Sequence, residues 1–296
     1  MSLLISSVKA WRISNVATTV PILPKASAWK LFFKTVFARA YPRVVGQQRE
    51  KSWMFFDIFL PILSIAAYVY VYRAIGAPEE YIGFVVMGGA MTAFWLNVLW
   101  SMSSQLYWEK EQGNLALYIM SPSSMMAILL GMALGGMLAT LLRASVILFI
   151  GGWLFQVRFV VVDFWLLILV FFLTMTALYG LGMMSASLFL LLSREAWHLA
   201  NLAQEPIYLI SGFYFPVKNL GFWIALGASL IPLTMGLDAM RQLIFPSATQ
   251  FGFLDVRIEV IGLAVLCIIF LLGARLLLNY MEKLAIQEGR LTESRR

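Results

Sequence analysis

Apolar runs long enough to cross a bilayer recur from about residue 53 to about residue 280, and few folds are open to a chain built this way. A hydrocarbon layer of about 30 Å takes roughly 20 apolar residues as a helix. It holds no water for backbone N–H and C=O groups, so each span must satisfy its own hydrogen bonds. A soluble core would show helical stripes or strand alternation instead. Composition agrees: 61% of the 296 residues are hydrophobic and 12% charged, against roughly 25% charged in an ordinary soluble domain. The expected fold class is an all-α polytopic membrane protein with six transmembrane helices.

The spans are expected at 53–72, with a kink at Pro61, and at 81–102, where Gly88, Gly89 and Ala90 permit close helix approach. A third runs over 125–155, with Gly131 and Gly135 at GxxxG spacing, and a fourth over 164–192. The fifth, 196–215, is broken by Pro206, Gly212 and Pro216. Residues 222–233 are apolar but too short to span, and are expected to dip into the membrane and return. The last span is 258–280, ahead of a polar tail, 281–296. Ahead of all of them lies a segment, 1–52, with a loosely ordered lead-in and no run long enough for a signal peptide. Within it Trp29, Phe32, Phe33, Val36, Phe37 and Ala40 share one helical face, as in an interfacial amphipathic helix, which Pro42 is expected to end.

Charge sets the orientation. Lys9, Arg12, Lys25, Lys30, Lys34, Arg39, Arg43, Arg49 and Lys51 precede the first span with Glu50 as their only acidic neighbour, and Lys283, Arg290, Arg295 and Arg296 follow the last. Cations flanking spans stay cytoplasmic, so both termini are expected inside. That reading explains the net charge of +7 without nucleic acid. Several chemistries are excluded. One cysteine, Cys267, and one histidine, His198, build neither a disulfide nor a metal centre. There is no GxxxxGK[ST] phosphate loop, GxSxG or HExxH, so no ATPase or hydrolase site is expected on this chain.

The most informative polar stretch joins the second and third spans. Tyr107, Trp108, Glu109, Lys110, Glu111, Gln112, Gly113 and Asn114 form a charged entry and a turn. A short, mostly apolar helix follows over 115–120, carrying Leu115, Leu117, Ile119 and Met120, and Ser121-Pro122 stops it. An ordinary surface loop would not hold those apolar side chains toward water. A short helix across the mouth of two spans suits docking into a soluble partner.

From Trp29 onward the sequence resembles the permease subunits of ABC-2 type transporters. Glu109, Glu111, Gly113, Ser121 and Pro122 match that family's E-x-E-x-G, coupling helix and Ser-Pro, with Asn114 in place of the commoner threonine. Ser211, Gly212, Phe215 and Pro216, then Pro232, Leu233, Thr234, Ala239 and Arg241, match its SGxxxP and PLT…R region, whose helices are re-entrant on the outer side. The resemblance implies an elbow helix at 29–40, a cytoplasmic coupling helix that includes Leu117, and a dimeric pore of two permease copies or homologues. It also implies a separate ABC ATP-binding subunit that carries ATP and magnesium, with no cofactor on this chain. The function so implied is export of an amphipathic, drug-like or lipid or glycolipid substrate across a bacterial inner (plasma) membrane. A polysaccharide or lipid-linked glycan exporter is the nearest rival, and an ATP-independent secondary transporter or scaffold is the rival of another class.

Polar groups inside apolar spans are costly and mark function or pairing. Asp57 is expected near the inner end of the first span and Arg143 in the outer half of the third, too far apart in depth to pair. Glu205 is the expected partner of Arg143, with snorkelling and a direct substrate contact as the alternatives. Asp238 and Arg241, at i, i+3, are expected to form a local salt bridge. Tyr208, Phe213, Tyr214 and Phe215 either pack or line an exit path.

Overall fold

The computed structural model describes residues 28–192 and 195–288. The lead-in, Ser193, Arg194 and the tail cations Arg290, Arg295 and Arg296 lie outside the described residues. The elements in order are α1 (Ala28–Arg49), α2 (Lys51–Ala74), α3 (Glu80–Leu96), α4 (Gln105–Glu111), α5 (Asn114–Met120), α6 (Met125–Phe155) and α7 (Phe164–Leu192). After these come α8 (Glu195–Ile210), α9 (Phe222–Ala228), α10 (Pro232–Ile244) and α11 (Val256–Glu288). Among the described residues there is no strand. Five helices are long and apolar enough to cross a membrane, or six if the bent pair α9 and α10 is counted as one.

Most of α3 is buried, while α2 and α11 turn most of their surface outward. The chain leaves α3 through a π-helical turn, Asn97–Met102, and enters α4 without breaking the rod. Close helix approach depends on glycine here. A Cβ on Gly88 would stand 1.5 Å from the Phe213 carbonyl oxygen, and one on Gly89 would strike Ile65. Ser124 starts α6 by accepting a hydrogen bond from the Ala127 N–H at 3.2 Å. Gln156 ends it in the left-handed conformation, φ 59°.

Two expectations change. Pro42 does not end α1, which runs on to Arg49. Proline removes one helical hydrogen bond, and packing along α6 holds the helix across the gap. The residues expected as a fifth span are helical only over Glu195–Ile210, 16 residues with Pro206 inside. At 1.5 Å per residue that is about 24 Å, and the non-helical stretch 211–215 carries the chain on to the level of Gly88 on α3. Beyond α8, Gly212 (φ 68°) and Gly221 (φ 85°) turn the chain, and α9 and α10 meet at 109°.

The GxxxG pair of α6 has a definite partner. A Cβ on Gly131 would meet the Val36 carbonyl oxygen at 2.5 Å, and one on Gly135 the Ala40 carbonyl oxygen at 2.6 Å. Both numbers rise by four together, so α1 lies parallel to α6 with its backbone in the glycine groove. Trp29, Phe37 and Tyr41, on the other side of α1, are exposed.

Candidate functional site

The insert between α3 and α6 is two short helices joined at Gly113, whose φ of 76° is the left-handed turn that glycine adopts at little cost. Its centre is Glu109, 8% exposed. That carboxylate accepts from Tyr118 Oη at 2.7 Å, Gln105 Nε2 at 2.8 Å and Asn114 Nδ2 at 3.0 Å. A buried carboxylate without partners would be very costly; three donors, two of them from α5, fold the insert back on itself. Burial and then the bond to Glu109 push the Tyr118 phenol up to about 12. Tyr118 therefore stays a neutral donor at physiological pH.

From this hub the contacts lead into α1. Arg43 donates to Gln105 Oε1 and to the Ser101 hydroxyl and carbonyl, and the Arg39 guanidinium lies 4.2 Å over the Tyr118 ring. The Cβ atoms of both arginines sit against the α6 glycines, Arg39 at Gly131 and Arg43 at Gly135. A groove in α6 therefore places α1, and α1 presents two cations, one turn apart, to the insert. Leu115 and Tyr118 face inward, whereas Leu117 (60% exposed), Met120 (74%), Trp108 and Glu111 face outward. Ser121 is half-buried and hydrogen-bonds Ser123 at 2.7 Å; Pro122 is exposed. The Ile119 side chain lies outside the described residues.

About 30 Å away along α3, counted from Glu109 to Gly88 at the helical rise, a different arrangement closes the other end. Arg241 on α10 is buried and donates to the carbonyls of Gly212 and Phe213 at 2.7 Å each, Phe84 at 3.0 Å and Phe215 at 3.3 Å. Pro232 opens α10 at its first turn, where a missing N–H costs nothing. Ser211, Gly212 and Pro216 are buried beside the clamp, and Phe215 is partly buried. Asp238 does not pair with Arg241. It accepts instead from the Phe253 N–H at 2.7 Å and Gln242 Nε2 at 3.3 Å, because Arg241 turns its terminal nitrogens to backbone carbonyls on the other side. Phe213 and Tyr214 are buried, with Tyr214 stacked on Tyr68 at 4.1 Å and Tyr208 5.3 Å from Phe213. These rings pack against each other.

The expected Arg143–Glu205 pair is overturned. Arg143 forms its salt bridge with Asp57, and also donates to Thr140 Oγ1 at 3.1 Å and Gln47 Oε1 at 3.3 Å. Glu205 is exposed and takes a bond from its neighbour Gln204. Arg143 reaches Asp57 because α2 and α6 do not begin at one level. The first four turns of α6 instead lie beside α1, so Arg143 arrives where α2 begins, and the later contact of Tyr70 with Phe155 keeps the same parallel register.

Arg39, Arg43, Gln105 and Tyr118 were not singled out by the sequence. Their signal was present: Arg39 and Arg43 repeat at i, i+4 in step with Val36 and Ala40 and with the glycines of α6. Cys267 is buried and its thiol points to the Leu173 carbonyl at 3.1 Å. His198 is exposed, and among the described residues no group of three metal-ligating side chains forms.

Bundle, insert and Arg241 clamp describe a multi-pass membrane protein, and sequence comparison gives its class. The ABC-2 type transporter family model matches residues 8–245, and the chain belongs to that family. Among curated proteins it is similar to the probable multidrug ABC transporter permease YbhR of Escherichia coli K12, 26% identical over 145 residues. The same protein of Escherichia coli O157:H7 matches equally. The matched stretch is 48% of this chain and 38% of the length of those relatives.

Proposed function

We propose that this chain is the membrane-spanning permease subunit of an ABC exporter, in which α5 is the coupling helix that receives force from a separate ATP-binding subunit. Two permease copies or homologues form the pore, α1 is the elbow at the cytoplasmic interface, both termini are cytoplasmic, and ATP and magnesium are held by the partner. The substrate is an amphipathic, drug-like or lipid molecule moved out of a bacterial cell across the inner membrane. The word multidrug in the relatives' name supports that class.

The observation that carries the reading is the two-sided character of the insert. Leu117 and Met120 are offered to a partner on a helix whose opposite side is tied to buried Glu109 and, through Arg39 and Arg43, to α1 and α6. Such a lever transmits displacement, because a push on α5 moves the hydrogen-bonded hub rather than bending a loop. Affinity capture of the ATP-binding subunit tests it. Replacing 113–121 by a polar linker abolishes capture, and Leu117→Ser with Met120→Ser weakens it at least tenfold; unchanged capture by the linker variant sinks the proposal.

A further inference from the structure

A cleft of about 370 Å³ opens where the end of α1 and the start of α2 face α3, its π-helical turn and α6. Its walls include Glu50, Trp53, Phe56, Asp57, Trp100 and Arg143. We propose that this cleft binds the cationic head of an amphipathic molecule, with Asp57 and Glu50 as counter-charges and the tryptophan and phenylalanine rings as its walls. The proposal rests on the exporter reading and names the substrate class that this reading leaves broad.

Two carboxylates face the cleft against one guanidinium, and that guanidinium is turned inward. Arg143 is 16% exposed at its side chain, with its donors on Asp57, Thr140 and Gln47. Asp57 is 41% exposed at its side chain, Arg143 engages its Oδ2, and among the described residues no hydrogen bond reaches Oδ1. The cleft therefore offers acceptors to an incoming cation and no unengaged cation to an anion.

The aromatic walls add selectivity. Trp53 and Phe56 are exposed at the mouth, and Trp100 is held in place by donating from Nε1 to Gln204 of α8 at 2.7 Å. Organic cations are attracted to such ring faces, most strongly where water is scarce. A bare metal ion is a poor fit, since calcium or magnesium takes six or more oxygen ligands. The Asn97–Met102 π-turn widens the spiral at this point, and π-bulges gather at functional sites. Asn97 is fixed there by accepting from Tyr179 Oη at 3.0 Å.

The test is equilibrium binding of tetraphenylphosphonium to the full chain in phosphatidylcholine nanodiscs, together with any ATP-binding subunit that co-purifies. Tetraphenylborate, an anion of the same size and shape, is the control. Saturable binding of the cation alone is expected. Glu50→Gln and Trp53→Ala leave the Asp57–Arg143 bridge standing and weaken binding several-fold, and Asp57→Asn weakens it about tenfold. If Asp57→Asn does not fold, the first two variants and the double variant Asp57→Asn with Arg143→Gln decide. Equal uptake of both ions, or wild-type affinity in folded Glu50→Gln and Trp53→Ala, overturns the site. No step needs ATP, so the two readings fail separately. A captured ATPase without Glu50- and Trp53-dependent binding removes the cleft proposal only, and binding without any capturable ATPase removes the exporter reading.

Discussion

The two ends of α3 are held by opposite chemistries. Near Gly88 a single buried guanidinium on α10 grips four backbone carbonyls, two of them at 2.7 Å. Near Glu109 a buried carboxylate gathers three side chains, one from α4 and two from α5. Backbone carbonyls cannot swing away, so the first arrangement has one geometry. Side-chain amides and phenols have rotamers to spend, so the second can exchange partners while staying satisfied. One end is a clamp and the other a linkage, and substitutions should tell them apart.

The largest effect is expected at the clamp. Arg241→Ala removes the side-chain donor shared by four backbone carbonyls and should cost on the order of 4 kcal/mol, read as a drop in melting temperature in detergent or loss of the folded protein. Arg241→Lys should restore only part, because an ammonium lacks the planar fork. Nearly as large is Gly88→Ala, since the added Cβ meets the Phe213 oxygen and must push α3 off the 211–215 turn. An undiminished melting temperature for either would show that the turn yields, and the contrast would fail.

At the linkage the cost should be smaller and graded. Glu109→Ala strands the donors of Gln105, Asn114 and Tyr118 and should cost about 2 kcal/mol, with Glu109→Gln in between. Tyr118→Phe removes one bond and should cost about 1 kcal/mol. High pH sharpens this. Because the folded tyrosine titrates near 12 against an unfolded value near 10, its contribution is complete below about pH 10 and is lost as the pH rises through 12. A tyrosinate absorbance titration should show one phenol fewer in this range after Tyr118→Phe. Least of all, Leu117→Ser should change stability by under about 0.5 kcal/mol and still weaken capture of the partner, separating the outward side of α5 from its inward side.

Span positions were open to a reading of the sequence because hydrocarbon thickness and helical rise are fixed lengths. The third and fourth runs were expected at 125–155 and 164–192, the bounds that α6 and α7 take. The insert was recognisable by its charge, glycine and proline punctuation, and the structure adds which side of it is bound. Pairings across helices were not legible. Asp57 and Arg143 meet because α1 rides beside the lower part of α6, a level that no periodicity within either helix records. The Arg241 acceptors are carbonyls, which carry no residue identity, so the sequence marked the donor without its targets. Pro42 and Pro206 show the same limit, as each sits inside a helix that tertiary contact sustains.

Because the α6 glycines seat the α1 backbone directly, these two rods share one frame and have little freedom to slide on each other. Only Glu50, with φ −85° and ψ 75°, stands between α1 and α2 outside helical geometry. A swing of α2 relative to that frame would turn on the torsions of this residue, whose carboxylate also borders the aromatic cleft. The joint between these two helices and one wall of the cleft are thus the same amino acid, and turning the one would reshape the other.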